Sequence, residues 1–236
     1  MKNLKKITMI MVMGALSACG QAEQNTEASS EWEILFDGSS TDQWRGYMRE
    51  DFPSEWIIDG DTLFYNSDRA GGPGSGNDII SKGEYGQFEL NLEWKVAEGS
   101  NSGIFWHVVE DEKFENVYNS AAEMQVVDNI GHPDGRIVSH QAGDLYDMIA
   151  SSVDASKPVG EWNEVRIIVS GNTLQQYLNG VKVVETTMWD DNWAAILADS
   201  KFATWPGFAQ SKTGHFALQD HGNPVWYRNI KVKKLD

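Results

Sequence analysis

The chain has a single cysteine, Cys19, so no disulfide can form within it. Basic residues are few: 19 Lys and Arg stand against 35 Asp and Glu, a formal charge of −16. A surface of that sign repels phosphate backbones and anionic lipid, which excludes nucleic acid as a partner. Long apolar runs are missing too. The one apolar run near the N-terminus, Ile7 to Leu16, is too short to cross a bilayer as a stable helix. No histidine pair has the spacing of a zinc helix motif, so a dedicated metal cage is not indicated. No serine sits in a nucleophile elbow. The glycine-rich stretch Ser67 to Asn77 lacks a phosphate-binding lysine and a following helix, and reads as a surface loop.

What is present begins with a leader. Lys2, Lys5 and Lys6 precede the apolar run, the pattern of a secretory signal peptide at 1–18. It ends in Leu16-Ser17-Ala18-Cys19, which resembles the bacterial lipobox, in which the cysteine becomes the lipidated first residue. Cys19 is therefore the expected lipidation site. The polar residues 19–30 read as a flexible tether, and 31–236 as one domain. Cleavage leaves 16 basic against 35 acidic residues, a formal −19. The expected location is the bacterial cell envelope, lipid-anchored and facing the periplasm or the cell surface.

The rest of the chain is written in strands and turns. Phe88, Leu90, Leu92, Trp94 and Val96 alternate with Glu89, Asn91, Glu93 and Lys95, a strand with one face in the core and one in water. Asp59-Gly60-Asp61 between Trp56-Ile57-Ile58 and Thr62 to Tyr65 predicts a hairpin. Further strands are expected at Glu31 to Phe36, Ser102 to Glu110, Ala121 to Asp128 and in the segment Trp162 to Thr187. Only Asp190 to Asp199 has helical spacing. His215 to Gln219 and Val225 to Val232, joined by Gly222-Asn223-Pro224, read as two strands of a hairpin, with Asp220 and His221 capping the turn and Arg228 pairing with an acid on a neighbouring strand. Many short strands with one short helix predict an all-β sandwich. Most of the ten tryptophans then fill its core, and the others suit grooves that meet sugar rings.

The block GHFALQDHGNPVWYRNIKV closely resembles the C-terminal signature of the 3-keto-disaccharide hydrolase domain family. The resemblance runs upstream through Asn101-Ser102-Gly103-Ile104, Glu123 to Asn129, Gly160-Glu161-Trp162-Asn163 and Leu178 to Val184, in the family's order from about Trp32 to Leu235. It implies a concanavalin A-like jelly-roll β-sandwich with a carbohydrate groove, and cleavage of 3-keto-glycosides already oxidised at C3 by a separate sugar dehydrogenase. Elimination followed by hydration needs one base, help at the ketone oxygen and an acid for the leaving group.

Period 2 places Glu123 and Gln125 on one face of their strand and Met124 and Val126 on the core face, so the first pair is expected to face solvent. Asp128 joins Glu123 only if a bulge intervenes. The pattern Glu-x-Gln-x-x-Asp resembles the Glu-x-Asp-x-x-Glu strand of laminarinase-type glycosidases, with the middle acid replaced by an amide. That speaks against the usual carboxylate pair. The catalytic candidates are Glu123 and His221 as acid or base, and Lys201, with Gln125 and His140, at the oxygens. Asn101, Asp128, Tyr146, Trp205, Gln219 and Asp220 complete the substrate-binding set. No organic cofactor is expected; a divalent ion held by Glu123, Asp128 or a histidine stays open. His107 alternates with Trp106, so one of the two is expected in the core. The alternative from another class is a non-catalytic carbohydrate-binding lipoprotein of a glycan-uptake system.

Overall fold

A computed structural model describes residues 31–69 and 76–235. The leader, Cys19, the tether and the middle of the glycine-rich loop lie outside the described residues. Among the described residues the strands in chain order are β1 (Glu33–Phe36), β2 (Trp44–Gly46), β3 (Trp56–Asp59), β4 (Thr62–Tyr65), β5 (Ile79–Ser81), β6 (Phe88–Val96) and β7 (Asn101–Val108). Then follow β8 (Ala122–Val127), β9 (Asn163–Ser170), β10 (Thr173–Leu178), β11 (Val181–Thr187), β12 (His215–Leu218) and β13 (Val225–Lys234), with one helix, α1 (Asp191–Asp199). Hydrogen bonding sorts the strands into two antiparallel sheets. One runs β11-β10-β9-β6-β13-β4-β3 with β1 beside β13; the other runs β2-β5-β12-β7-β8. This is the β-sandwich that the strand pattern predicts, of the jelly-roll kind that the family resemblance implies.

The alternation in β6 explains why the layers pack. Phe88, Leu90, Leu92, Trp94 and Val96 are buried while the residues between them are partly exposed. Ile104, Trp106, Met124, Val126, Phe216 and Leu218 of the other sheet join them in one core, and each such burial stabilises by about 2 kcal/mol. The Asp59-Gly60 hairpin joins β3 to β4 as expected. Asp190 caps α1, its carboxylate accepting the Trp193 N–H at 2.7 Å.

The C-terminal pair departs from expectation. β12 pairs with β5 and β7, whereas β13 pairs with β1, β4 and β6. The two are therefore not a hairpin: Gln219 to Pro224 is an arch that carries the chain from one sheet to the other. Gly-Asn-Pro chemistry reverses a chain in either arrangement, and only distant partners decide which. Two of the smaller expectations hold, while His221 hydrogen-bonds only the Asn223 side chain, at 3.4 Å, and among the described residues caps no backbone group. Asp220 Oδ1 accepts the Gly222 N–H at 2.8 Å, and Arg228 pairs with Glu93 of β6 at 2.7 Å.

Alternation also fails within β7. Trp106 and His107 are both buried, 1% and 4% exposed. His107 has φ 59, and the β7–β12 register shifts beside it, so a bulge turns both side chains inward. β8 lies at the edge of its sheet, and the segment 142–149 covers it. Gln125 N–H donates to Asp144 O, Gly143 N–H to Gln125 O and Tyr146 N–H to Glu123 O, all within 2.9–3.0 Å.

Candidate active site

A cavity of about 340 Å³ opens on the outer face of the five-stranded sheet. β7 and β8 supply its floor. Phe105 pairs with Glu123 and Gly103 with Gln125, so Asn101, Gly103, Glu123 and Gln125 share one face. Gly103 makes the room: a Cβ there would lie 2.0 Å from Glu123 Oε1. The expected face is thus the observed one, but it is not solvated. Glu123 is 8% and Gln125 1% exposed, because the segment covering the β8 edge and the turn after α1 close over them. A strand's own alternation does not report what later segments lay on its outer face.

Tyr146 and Lys201 stand over this floor. The Lys201 ammonium is 4.0 Å from the Tyr146 ring centre. The Tyr146 hydroxyl and Asn101 Nδ2 both donate to Asp134 Oδ2, each at 3.4 Å. The arch brings in Gln219, Asp220 and His221. Its position is set by the Asp220 N–H, which donates to Asp78 Oδ1 at 2.7 Å. His221 rests edge-on against His132, with ring centres 5.6 Å apart. Tyr118, Phe202 and Trp205 complete the lining.

Two of the sequence candidates fall elsewhere. β8 ends at Val127, and Asp128 turns away to accept the N–H groups of Gly99 at 2.8 Å and Ile130 at 3.0 Å. Burial works against its charge, but those bonds and one from Gly131 hold the carboxyl below its ordinary value. Asp128 therefore shapes a loop, and the bulge that would have returned it to the cleft is absent. His140 lies behind the wall: its ring centre is 4.3 Å from that of Tyr146, and its Nε2 meets Asp147 Oδ1 at 2.7 Å. The other oxygen of Asp147 accepts the Lys201 N–H at 2.6 Å. His140 and Asp147 thus brace Tyr146 and Lys201. The remaining candidates, Asn101, Glu123, Gln125, Tyr146, Lys201, Trp205, Gln219, Asp220 and His221, all line the cavity.

Sequence reasoning missed Asp78, Asn116, Tyr118, Asp134 and Phe202, which line it too. Asp78 precedes β5, a strand too short to leave a period. Asp134 sits in Gly131-His132-Pro133-Asp134-Gly135, whose turn chemistry hides any other role.

The electrostatics single out Glu123. Among the described residues no side-chain hydrogen bond reaches its carboxyl. Burial pushes it up to about 8; Lys201 opposes the shift, and Asp78 and Asp134 reinforce it. Near neutrality this carboxyl holds its proton and is a donor. Burial likewise lowers the Lys201 ammonium, against the pull of Glu123, Asp147 and Asp134. Asp78 is pushed up to about 7 by burial and by the charge of Asp220, against the Asp220 N–H bond. Gln125 Oε1 accepts the Val126 N–H at 3.2 Å, which leaves its Nε2 as a donor for the cavity. Such a mix of buried acid, cation and amide suits acid–base chemistry on a neutral polar substrate. Among the described residues no three His, Cys, Asp or Glu side chains gather as a metal-holding group.

A larger recess, about 610 Å³, lies on the outer face of the eight-stranded sheet, lined by Glu93, Arg166, Tyr177 and Lys231 among others. Its charges are partnered: Glu93 with Arg228, and the Arg166 guanidinium over the Tyr177 ring at 4.2 Å. No candidate residue enters it, so the smaller cavity is the candidate site.

Similarity to known proteins shows the family. The model of the family described as the 3-keto-alpha-glucoside-1,2-lyase-like domain matches residues 31–233. A 3-keto-disaccharide hydrolase of Bacteroides thetaiotaomicron is 38% identical over 225 residues, 86% of this chain and 78% of that protein. A Parabacteroides distasonis protein of known structure, assigned as a glycosyl hydrolase, superposes with a TM-score of 0.77 at 26% identity, covering 87% of this chain and 94% of its own. A Bacillus subtilis protein with a galectin-like fold, at 12% identity and TM-score 0.55 over 88% of this chain and 96% of its own, shares the fold alone. The chain belongs to the 3-keto-alpha-glucoside-1,2-lyase-like domain family and is a glycosidase-like hydrolase.

Proposed function

We propose that the cleft hydrolyses 3-keto-glycosides by elimination and then hydration. The observation that carries this reading is the buried carboxyl of Glu123, protonated near pH 7 and sharing the cleft with the Gln125 amide and the Lys201 ammonium. A retaining or inverting glycosidase needs a pair of carboxyls set across the scissile bond; a 3-keto sugar needs one acid, a base and a donor to the ketone oxygen. The ketone acidifies the C2 hydrogen. His221 takes that proton, Lys201 and the Gln125 amide donate to the ketone oxygen as charge develops there, and the electron pair forms the C1=C2 bond while the C1–O bond breaks. Glu123 gives its proton to the departing oxygen. Water then adds across the enone, oxygen to C1 and hydrogen to C2, which returns a free 3-keto sugar. General acid–base groups of this kind each contribute about a hundredfold to ten-thousandfold.

The substrate arises by oxidation at C3, so a sugar 3-dehydrogenase acts before this protein. The leader and Cys19 support a lipid-anchored place in the cell envelope, facing the periplasm or the cell surface. The test of the activity is incubation with a 3-keto-glucoside and, separately, its unoxidised parent. Release of the leaving group from the keto form alone is the expected result; equal release from both, or from neither, refutes the reading.

A further inference from the structure

The larger recess has no part in the chemistry above. It lies on the outer face of the eight-stranded sheet, and the cleft on the outer face of the other sheet. Its floor is a row of outward side chains on four neighbouring strands. Tyr177 of β10 pairs with Arg166 of β9, Arg166 with Asn91 of β6, and Asn91 with Lys231 of β13. The next row sets Glu164 opposite Glu93, and Glu93 opposite Arg228. The volume of about 610 Å³ falls within the roughly 300–1,000 Å³ of small-molecule sites.

Three features of this face make poor sense as bare surface. Like charges directly opposite across a ladder are unfavourable, yet Glu164 faces Glu93. Arg228 holds one oxygen of Glu93 at 2.7 Å and the Asn229 amide holds the other at 2.6 Å. Among the described residues no hydrogen bond or ion pair reaches the Glu164 carboxylate. Asn91, in the middle of the row, has a buried Oδ1 with no hydrogen-bond partner, an arrangement that costs stability. The third feature is a bulge. The register of β13 against β6 shifts between Arg228 and Lys231, and Asn229 has φ 52, a left-handed conformation uncommon outside glycine. Strained backbone, an idle acceptor and opposed carboxylates converge on one recess, which is where a ligand would repay them.

The groups are fixed in direction and balanced in charge. Arg228 is seated on the Trp162 ring at 4.1 Å, so Glu93 is held from behind. The Arg166 guanidinium lies over Tyr177 and is only loosely paired with Glu89, at 3.8 Å, leaving N–H donors for the recess. Arg166 and Lys231 stand against Glu164 and Asp37 in the lining, while Glu93 and Arg228 cancel. On a chain of formal charge −16 this is a locally neutral surface. A simple anion or cation would meet an opposing charge there. A ligand whose every group both donates and accepts would not, and hydroxyls are such groups.

We propose that this recess is a second, non-catalytic carbohydrate site that holds a neutral glycan by its hydroxyls. Glu164 and Asn91 accept; Arg166 and Lys231 donate. Because the two sites stand on different sheets, a glycan is held here whether the cleft is filled or empty, which keeps the enzyme on a polysaccharide between turnovers.

The experiment is calorimetric titration with two unoxidised neutral oligosaccharides, cellohexaose and maltohexaose, so its outcome does not depend on the reaction assigned to the cleft. Binding in the millimolar range or tighter is expected for at least one of them. Glu164→Gln and Arg166→Leu should each weaken it about tenfold or more, and Trp205→Ala, in the cleft, should leave it unchanged. Both recess residues point away from the core, and circular dichroism and Tm check that the variants fold. Absence of binding to both sugars overturns the site. Binding that neither recess substitution weakens overturns it too, and its loss in Trp205→Ala then places the sugar in the cleft. Light scattering without sugar covers the other occupant: a dimer that Arg166→Leu dissociates makes this face an interface between copies, and refutes the carbohydrate site.

Discussion

Glu123→Gln tests the electrostatics of the site without any substrate. The amide keeps the shape of the side chain and removes its titration. In the folded protein burial holds the carboxyl at about 8 against an ordinary 4.5. A gap of about 3.5 units is worth about 5 kcal/mol at about 1.4 kcal/mol per unit. The sign follows from which state holds the proton. The folded state binds it more tightly, so the favourable contribution is complete below the unfolded pKa. It is lost as pH rises, and is gone once pH passes the folded value. Between about pH 5.5 and about pH 8.5 the wild type should lose about 3 kcal/mol of stability that Glu123→Gln does not lose. Guanidinium unfolding of both proteins at the two pH values measures the difference, with m checked for constancy. Asp78 and the other titrating groups are common to both proteins and largely cancel. If the two stabilities fall in parallel across that range, Glu123 is not a buried acid and its place in the mechanism fails.

In turnover of a 3-keto-glycoside, Glu123→Gln should lose about a hundredfold to ten-thousandfold, and the alkaline limb near pH 8 should vanish from its residual activity. His221→Asn should also slow turnover by about a hundredfold or more; a rate near wild type would remove His221 from proton transfer. Gly103→Ala puts a methyl 2.0 Å from Glu123 Oε1. It should destabilise by about 1–3 kcal/mol and abolish most activity, as unfolding and rate measurements on the same sample would show. Cys19→Ser should leave the protein unlipidated and off the membrane fraction, because the acidic surface has no affinity of its own for anionic lipid; a form that still sediments with the envelope would refute the anchor.

Much of this was legible because it is local. The alternation of β6, the Asp59-Gly60 turn and the Asp190 cap are each decided by neighbours in sequence, and each is where the residues put it. Glu123 and Gln125 share a face for the same reason. What the residues did not tell was set by distant segments. The arch and a hairpin have the same turn residues, and differ only in whether β12 meets β13 or β7. Burial of Glu123 comes from residues some twenty to eighty positions later. Asp78 and Tyr118 enter the cleft from the residue before a three-residue strand and from a single turn, elements too short to carry a period. Asp128 has the right residue type at a near-correct spacing, and is taken by loop backbone instead.

The segment that covers β8 has a second consequence, for solubility and for how this enzyme can change. An open edge reading Ala-Glu-Met-Gln-Val-Val would be a template for the strand of another molecule. Here Gly143, Asp144 and Tyr146 occupy its backbone groups, and the same few residues place the tyrosine in the lining of the cleft. Protection from aggregation and shape of the cleft are thus carried by one stretch of chain. Insertions or exchanges there, the ordinary route by which a loop acquires a new specificity, would unzip the guard along with the pocket. Variation in substrate range is steered instead toward the turn after α1 and the arch, which touch the cleft without sealing an edge.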